Sequence, residues 1–455
     1  MVFARTRELN LLNKLYEENE AKAVVFYGNK GNSVSDIVKE FISEKDYFYY
    51  DAVNVSSIEQ EKLFTRCLSD QIPKLNEICT TYEEIFQKMK EVKCEKRIIV
   101  IENFQNIIKR DSDFINQCIK WKKDKWNNQP VMFIFVSDNQ YFVETQMAEK
   151  LEDDVYFLSG LIKVSDLTFL DIVRQFENYS LAELVFLYSI FGGKSGYLEM
   201  FDPHISVKEN IINKILTKDS FFYNEGKHIL PEELREHGVY NTLLLTIASG
   251  KEKLNEIHKE TGFSRPKISV YLKNLIEFDL IEKIDSYDTL GKENAQKGIY
   301  KIKDRFISFY YKYLYSHYSE LKFIDGSVFY DKYIKPSINS YSEPAFLQVC
   351  REYLELLNNM DKLPIRYTKS GTWIGKVGDI HIILQNDTEH TIVGQCSWET
   401  GIMTYEDFEW LSFCVKQAKL EPLYYYLFSA DGFDEKLKKF ASENQQIFLI
   451  DATML

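Results

Sequence analysis

Three short runs of nearly unbroken apolar residues constrain this chain most: VVFYG at 24–28, IIVIE at 98–102 and VMFIFVS at 131–137. A strand with one wet face alternates apolar and polar side chains, so runs without alternation belong to strands covered on both sides. Helix-patterned sequence, such as VSDIVKEFISE after the first run, separates them. Strands alternating with helices build a parallel sheet with helices on both faces. KAVVFYG, DYFYYDAV, KRIIVIENFQNI, PVMFIFVSD and an edge strand in DDVYFLSGLIKV are the expected strands. Ahead of them, Glu8, Leu11, Leu12 and Leu15 fall at helical spacing and predict a short amphipathic helix.

The first run ends in a glycine turn, GNKGNSVS at 28–35, followed by a helix. This is how a phosphate-binding loop is laid out, and the full pattern is G-x-x-x-x-G-K-[ST]. Its glycines let backbone N–H groups close on phosphates, its lysine neutralises charge, and its hydroxyl holds Mg²⁺. Here Gly28 opens the loop, Gly31 adds a second glycine and Ser35 takes the hydroxyl position. Ser33 stands at the second glycine position and Val34 at the lysine position. Lys30, inside the loop, is the one substitute charge. In the acidic partner strand, Glu102 takes the cation-ligand position and Asn103 the position that would orient or deprotonate water. An amide cannot accept that proton. Ser137 and Asp138 end the next strand, where a polar sensor residue belongs. Any nucleotide contacts would therefore come from Gly28, Lys30, Gly31, Ser33, Ser35 and Glu102. ATP and Mg²⁺ are not required by this reading.

After Asp166 the pattern turns helical through LTFLDIVRQF, SLAELVFLYSIFGG and SVKENIINKILTK. From Tyr240, three helical stretches precede a charged strand pair, which predicts a winged helix-turn-helix. In SRPKISVYLKNLIEFDL, Ile268, Leu272 and Leu275 share one face, while Arg265, Lys267, Ser269 and Lys273 lie toward the other. Lys292, Lys297, Lys301 and Lys303 extend this basic surface into the wing, making it the chain's best candidate for DNA phosphates. A protein-binding winged helix with a solvated charged face is the alternative. The last third ends in GDIHIIL, HTIVGQCSW, LEPLYYYLFS and QIFLIDA, strands of a second, smaller α/β domain.

The order of VFARTRELNLLNKLYEE, VVFYGNKGNS, IIVIENFQ, LYSIFGGKSGYLEMFD, VKENIINKIL, YNTLLLTIASG and IYKIKDRFISFYYKY resembles the archaeal-type AAA+/STAND P-loop ATPases. The likeness spans nearly the whole chain. It implies a P-loop ATPase-like domain at 1–165, a helical lid at 166–237, a winged helix-turn-helix at 238–318 and a restriction-endonuclease-like α/β domain at 319–455. That family usually carries G-R-R-x-x-G-K-T where this chain has Gly28 to Ser35, and I-D-E-F-Q where it has Ile101 to Gln105. It carries an Arg pair where Phe157 and Leu158 stand. TWIGKVGDIHIIL and TIVGQCSWE resemble its P-D-(D/E)-x-K segments W-x-G-x-x-x-E-I-D and V-G-E-C-K-W. By that likeness His381 replaces the catalytic Asp, Gln395 the Glu, Ser397 the Lys and Leu347 a helical acid, while Asp379 is the one acid left. Such a centre is poor for Mg²⁺, which wants charged oxygen ligands. No metal site and no catalytic residue are expected.

The net charge of −13 opposes nonspecific attraction of the whole chain to DNA, though not one basic face. Seven cysteines, an odd number without C-x-x-C, and no signal-like start or membrane-length apolar run point to a cytoplasmic protein. The combined expectation is an ATPase-like protein with depleted chemical centres, acting as a DNA-linked regulator or scaffold. The alternatives are an ATP-binding switch with slow or no hydrolysis, an active ATPase using substitute groups, and a subunit partnered with an intact paralogue.

Overall fold

The computed structural model describes residues 4–18, 20–72, 79–91, 97–111, 113–123, 131–226, 230, 234–289, 298–398 and 401–455. It divides into two compact units, residues 1–167 with 194–200, and residues 168–193 with 201–455.

The first unit is built on strands β1 (Lys22–Gly28), β2 (Tyr47–Asp51), β3 (Arg97–Glu102), β4 (Val131–Ser137) and β5 (Gly160–Val164). They run parallel in the order β2-β3-β4-β1-β5. Val24 pairs with Ile134, and Ile134 with Val100. Side chains alternate between two cores. Val25, Tyr27, Ile99, Ile101, Phe133 and Phe135 enter one; Val24, Phe26, Ile98, Val100, Ile134 and Val136 enter the other. Burial on both faces is what the unbroken apolar runs require. The strand expected across DDVYFLSGLIKV begins only at Gly160. A short 3₁₀ turn, Glu152–Phe157, precedes it, because Phe157 turns into the core against Phe133 and Phe135.

In the second unit the helix Leu181–Phe191 starts at a capping box, Ser180 with Glu183, and is buried from Leu184 to Phe191. Glu352, on the long helix Ile338–Asn359, accepts hydrogen bonds from the Phe169 N–H at 2.8 Å and from the Tyr188 hydroxyl. Three further helices, His237–Ala248, Leu254–Thr261 and Arg265–Glu277, lead into an antiparallel ribbon of β6 (Ile281–Asp285) and β7 (Gly298–Ile302). The last sheet is mixed. Strands β8 (Lys369–Ile374), β9 (Asp379–Gln385) and β10 (Thr391–Ser397) are antiparallel, and β11 (Pro422–Ser429) and β12 (Ile447–Asp451) continue parallel to β10. Among the described residues, no helix is long and apolar enough to cross a membrane.

An aromatic nest fills one side of the first sheet. Phe64 is fully buried, with the rings of Tyr50, Tyr82, Phe114 and Phe86 centred 5.1–5.8 Å away. Replacing Phe64 with Ala should destabilise this unit by about 3–5 kcal/mol, read from denaturant unfolding.

Candidate functional site

The parallel sheet brings Gly28, Glu102 and Ser137 to the same edge, because every strand ends there. The helix Val34–Ile42 starts directly after the glycine turn. Ser33 adopts the left-handed conformation, φ 53° and ψ 28°, and Gly31 has φ 91°. The turn thus keeps a backbone path that glycine follows most cheaply, with a Cβ added at Ser33. Ser35 donates a hydrogen bond to Glu102 Oε1, so the two groups suited to a hydrated cation meet. Asn103, also left-handed at φ 53°, donates to Asp51 Oδ1 at 2.8 Å and accepts from Gln105 Nε2 at 3.2 Å. The Ser137 hydroxyl is buried and accepts the Asn139 N–H at 3.1 Å; Asp138 is exposed.

Val34 turns inward, buried with Val24, Ile37 and Val38, where a lysine would have to surrender its ammonium to an apolar core. Its Cγ2 lies against Gly28, 3.1 Å from where a Cβ on that glycine would stand. What covers the turn is a later segment of the same unit. The Gly196 N–H donates to the Gly31 carbonyl at 2.8 Å, and Lys194 Nζ donates to the Lys30 carbonyl at 2.9 Å. The Tyr197 ring lies so close that a methyl group on Gly31 would sit 2.9 Å from it. Arg5 anchors this segment through Ser195 Oγ at 2.8 Å and the Ser165 carbonyl at 2.7 Å. Asn32 Nδ2 donates to Asp166 Oδ1 at 2.7 Å. The Ser33 hydroxyl is buried with no hydrogen-bond partner. Lys30, the expected substitute charge, has an exposed side chain. Sequence reasoning missed Arg5, Lys194, Gly196 and Tyr197. The signal available was the pair Gly192–Gly193 followed by Gly196, a glycine-dense stretch inside an otherwise helical region.

At the positions of the Arg pair, Phe157 is core and Leu158 packs partly buried against the same cluster.

On the helix Arg265–Glu277, Ile268, Leu272 and Leu275 are buried, while Arg265, Lys267, Ser269 and Lys273 are exposed. Arg265 Nε donates to Asn255 Oδ1 at 3.1 Å. Lys267 lies 4.9 Å from the Phe263 ring centre, and Lys273 pairs with Glu277 at 3.6 Å. Lys303 pairs with Asp279 at 2.5 Å. Burial pushes the Glu252 carboxyl up, and Lys301 partly offsets this. Lys292 and Lys297 lie outside the described residues. The exposed basic groups spread over the solvent side of the helix, with Lys267 about 120° around it from Lys273, and nearby carboxylates compensate some of them.

In the last sheet, Asp379 and His381 share a face of β9, and Gln395 and Ser397 share a face of β10. Asp379 is exposed and accepts the Gly375 N–H at 2.9 Å. His381 Nδ1 accepts the Cys396 N–H at 3.2 Å, and its own N–H donates to Gln395 Oε1 at 3.4 Å. Ser397 Oγ reaches the Gly401 carbonyl at 3.5 Å. Leu347 is half-buried. Among the described residues, no three His, Cys, Asp or Glu side chains are grouped to hold a metal ion.

Residues 310–409 match a family model described as archaeal and bacterial proteins of unknown function. An uncharacterized protein of Methanocaldococcus jannaschii is 28% identical over 394 residues, covering 86% of this chain and 85% of that one. Among solved structures, the Walker-type ATPase PABY2304 of Pyrococcus abyssi has 15% identity, a TM-score of 0.46, and coverage of 68% of this chain and 96% of that one. The ORC2 protein of Aeropyrum pernix, in ADPNP–ADP complexes, has 9% identity, a TM-score of 0.47, and coverage of 70% and 94%. Neither likeness reaches a TM-score of 0.5.

Gly31→Ala should destabilise the first unit by about 1–3 kcal/mol through ring overlap and left-handed strain. In a Tyr197→Ala background the same change should cost only the backbone part, about 1 kcal/mol. A double-mutant cycle measured by denaturant unfolding checks this; strict additivity would mean that Tyr197 does not cover the turn.

Proposed function

We propose that this chain is a binding protein on a P-loop ATPase-like scaffold, without nucleotide turnover, that contacts DNA through a winged helix-turn-helix at 238–318. The closure of the glycine turn by Lys194, Gly196 and Tyr197 carries the first half of this reading. A triphosphate must lie on the turn's N–H groups and bring several negative charges with it. Here Val34 offers no charge, Asn103 offers no base, and the chain's own segment lies on the turn. In the last domain His381, Gln395 and Ser397 leave Asp379 without the second carboxylate and lysine that strand cleavage needs. That domain therefore serves as a folded platform. The DNA half of the reading rests on the exposed Arg265, Lys267, Ser269 and Lys273 face.

One observation favours a second reading, an ATP-binding switch that does not hydrolyse. Ser35 and Glu102 remain joined, and Lys194 brings a buried ammonium to the turn from outside it. In that case the covering segment would leave when nucleotide arrives.

Calorimetric titration of the purified chain with ATP, with and without Mg²⁺, should give no binding heat at millimolar nucleotide and no phosphate release. Saturable Mg²⁺-dependent binding without phosphate release would establish the switch. Steady turnover would overturn both readings. Affinity for duplex DNA should fall steeply with salt. Joint Arg265→Ala, Lys267→Ala and Lys273→Ala should lower the slope of log K against log salt by about 3. Binding that ignores salt would remove DNA from the proposal and leave a protein partner.

A further inference from the structure

Beside His381 in the last sheet lies a pair of thiols that the proposed function does not use. Cys350 sits on the helix Ile338–Asn359 and Cys396 on β10; both are reduced and buried. Ring contacts on either side fix how this helix lies on the sheet. One turn before Cys350, Phe346 packs on Trp398 at 4.8 Å. Almost one turn after it, Tyr353 meets Phe428 at 6.1 Å, and Phe428 is the residue beside Cys396 in the β10–β11 ladder. Residues 346, 350 and 353 share one helix face, and 396 and 398 share one strand face, so Cys350 is carried over Cys396. The Cys396 sulfur helps hold the Cys350 thiol protonated, so the two sulfurs are neighbours.

The surroundings treat the two sulfurs differently. His381 lies against Cys396, accepting its backbone N–H on Nδ1 at 3.2 Å. Arg351 donates to the His381 carbonyl at 2.9 Å. Burial works against ionising Cys396, but Cys350, His381 and Arg351 together hold its thiol below the ordinary range. Burial pushes the Cys350 thiol up. Low-pKa thiols beside positive groups are the ones that attack peroxide. His381, against Cys396, is only partly buried, and Cys396 keeps 6% of its own surface exposed, which is the route open to a molecule as small as hydrogen peroxide.

We propose that Cys396 and Cys350 are a peroxide-responsive thiol pair, with Cys396 the attacking and Cys350 the resolving sulfur, whose disulfide ties the long helix to β10. In the first step the Cys396 thiolate attacks hydrogen peroxide. An S–O bond forms, the O–O bond breaks, and hydroxide leaves and is protonated, giving the sulfenic acid and one water. In the second, the Cys350 sulfur attacks the sulfenic sulfur. The S–S bond forms, the S–O bond breaks, and the leaving hydroxide takes the Cys350 proton as a second water. Two thiols are oxidised by two electrons, and one peroxide is reduced to two waters. His381, whose ring is held at the backbone of the attacking cysteine, is a positioning residue that favours its thiolate.

The test treats the full-length chain with a small excess of hydrogen peroxide, alkylates remaining thiols in denaturant, and maps peptides without reduction. The expected result is one intramolecular cross-link between the peptides carrying Cys350 and Cys396, with the other five cysteines still alkylated. The melting temperature should rise by several degrees and return on reduction. In Cys350→Ser the second step is blocked, so Cys396 should accumulate as a dimedone-reactive sulfenic acid. His381→Asn should slow the cross-link at least fivefold at neutral pH, with most of the loss recovered at pH 9. Cys350 and Cys396 both remaining alkylatable under peroxide that oxidises other cysteines would overturn the proposal, as would cross-links to other partners. If Cys350→Ser does not fold, the wild-type peptide map alone decides.

Discussion

Two-sided burial of β1, β3 and β4 is the constraint on which the first unit depends. Strands covered on both faces and joined through helices run parallel here, and parallel strands deliver all their C-terminal ends to one edge. That edge receives Gly28 from β1, Glu102 from β3 and Ser137 from β4. The meeting of Ser35 with Glu102 is therefore a consequence of the core. A chemical centre on such an edge can lose its charged groups one at a time while the apolar rows beneath it keep the geometry.

Ser33 keeps the left-handed backbone at a cost of about 1–2 kcal/mol over glycine, and its hydroxyl is left buried and unpaired. The covering segment offsets this with hydrogen bonds from Gly196 and Lys194 to carbonyls of the turn and with the ring of Tyr197. Those contacts are made to the backbone, so they need no particular side chain in the turn. They do need Gly31, the one position where a side chain would strike the ring.

How much of this was legible in the sequence follows from what kind of force placed each residue. Strand positions and core faces were readable because they follow from periodicity alone: Ile268, Leu272 and Leu275 are buried as the helical spacing predicts. The edge strand was read too early because Phe157 and Leu158 look strand-like, yet Phe157 is claimed by rings of β4. The glycine turn and Glu102 were readable as a local pattern. Their cover was not, since Lys194 and Tyr197 are more than 160 residues from Gly31 and carry no pattern of their own. Likewise Cys350 and Cys396 look unrelated in the sequence, and only the packing of Phe346 on Trp398 and Tyr353 on Phe428 brings them together.

Hydrogen–deuterium exchange of the amides in residues 28–36 and 194–200 reports whether the turn is already occupied by its own chain. Both stretches of the free protein should exchange slowly, and adding millimolar ATP and Mg²⁺ should leave that unchanged. Rapid exchange in the free protein, or protection of 28–36 on adding nucleotide while 194–200 opens, would contradict occupation of the turn by its own chain.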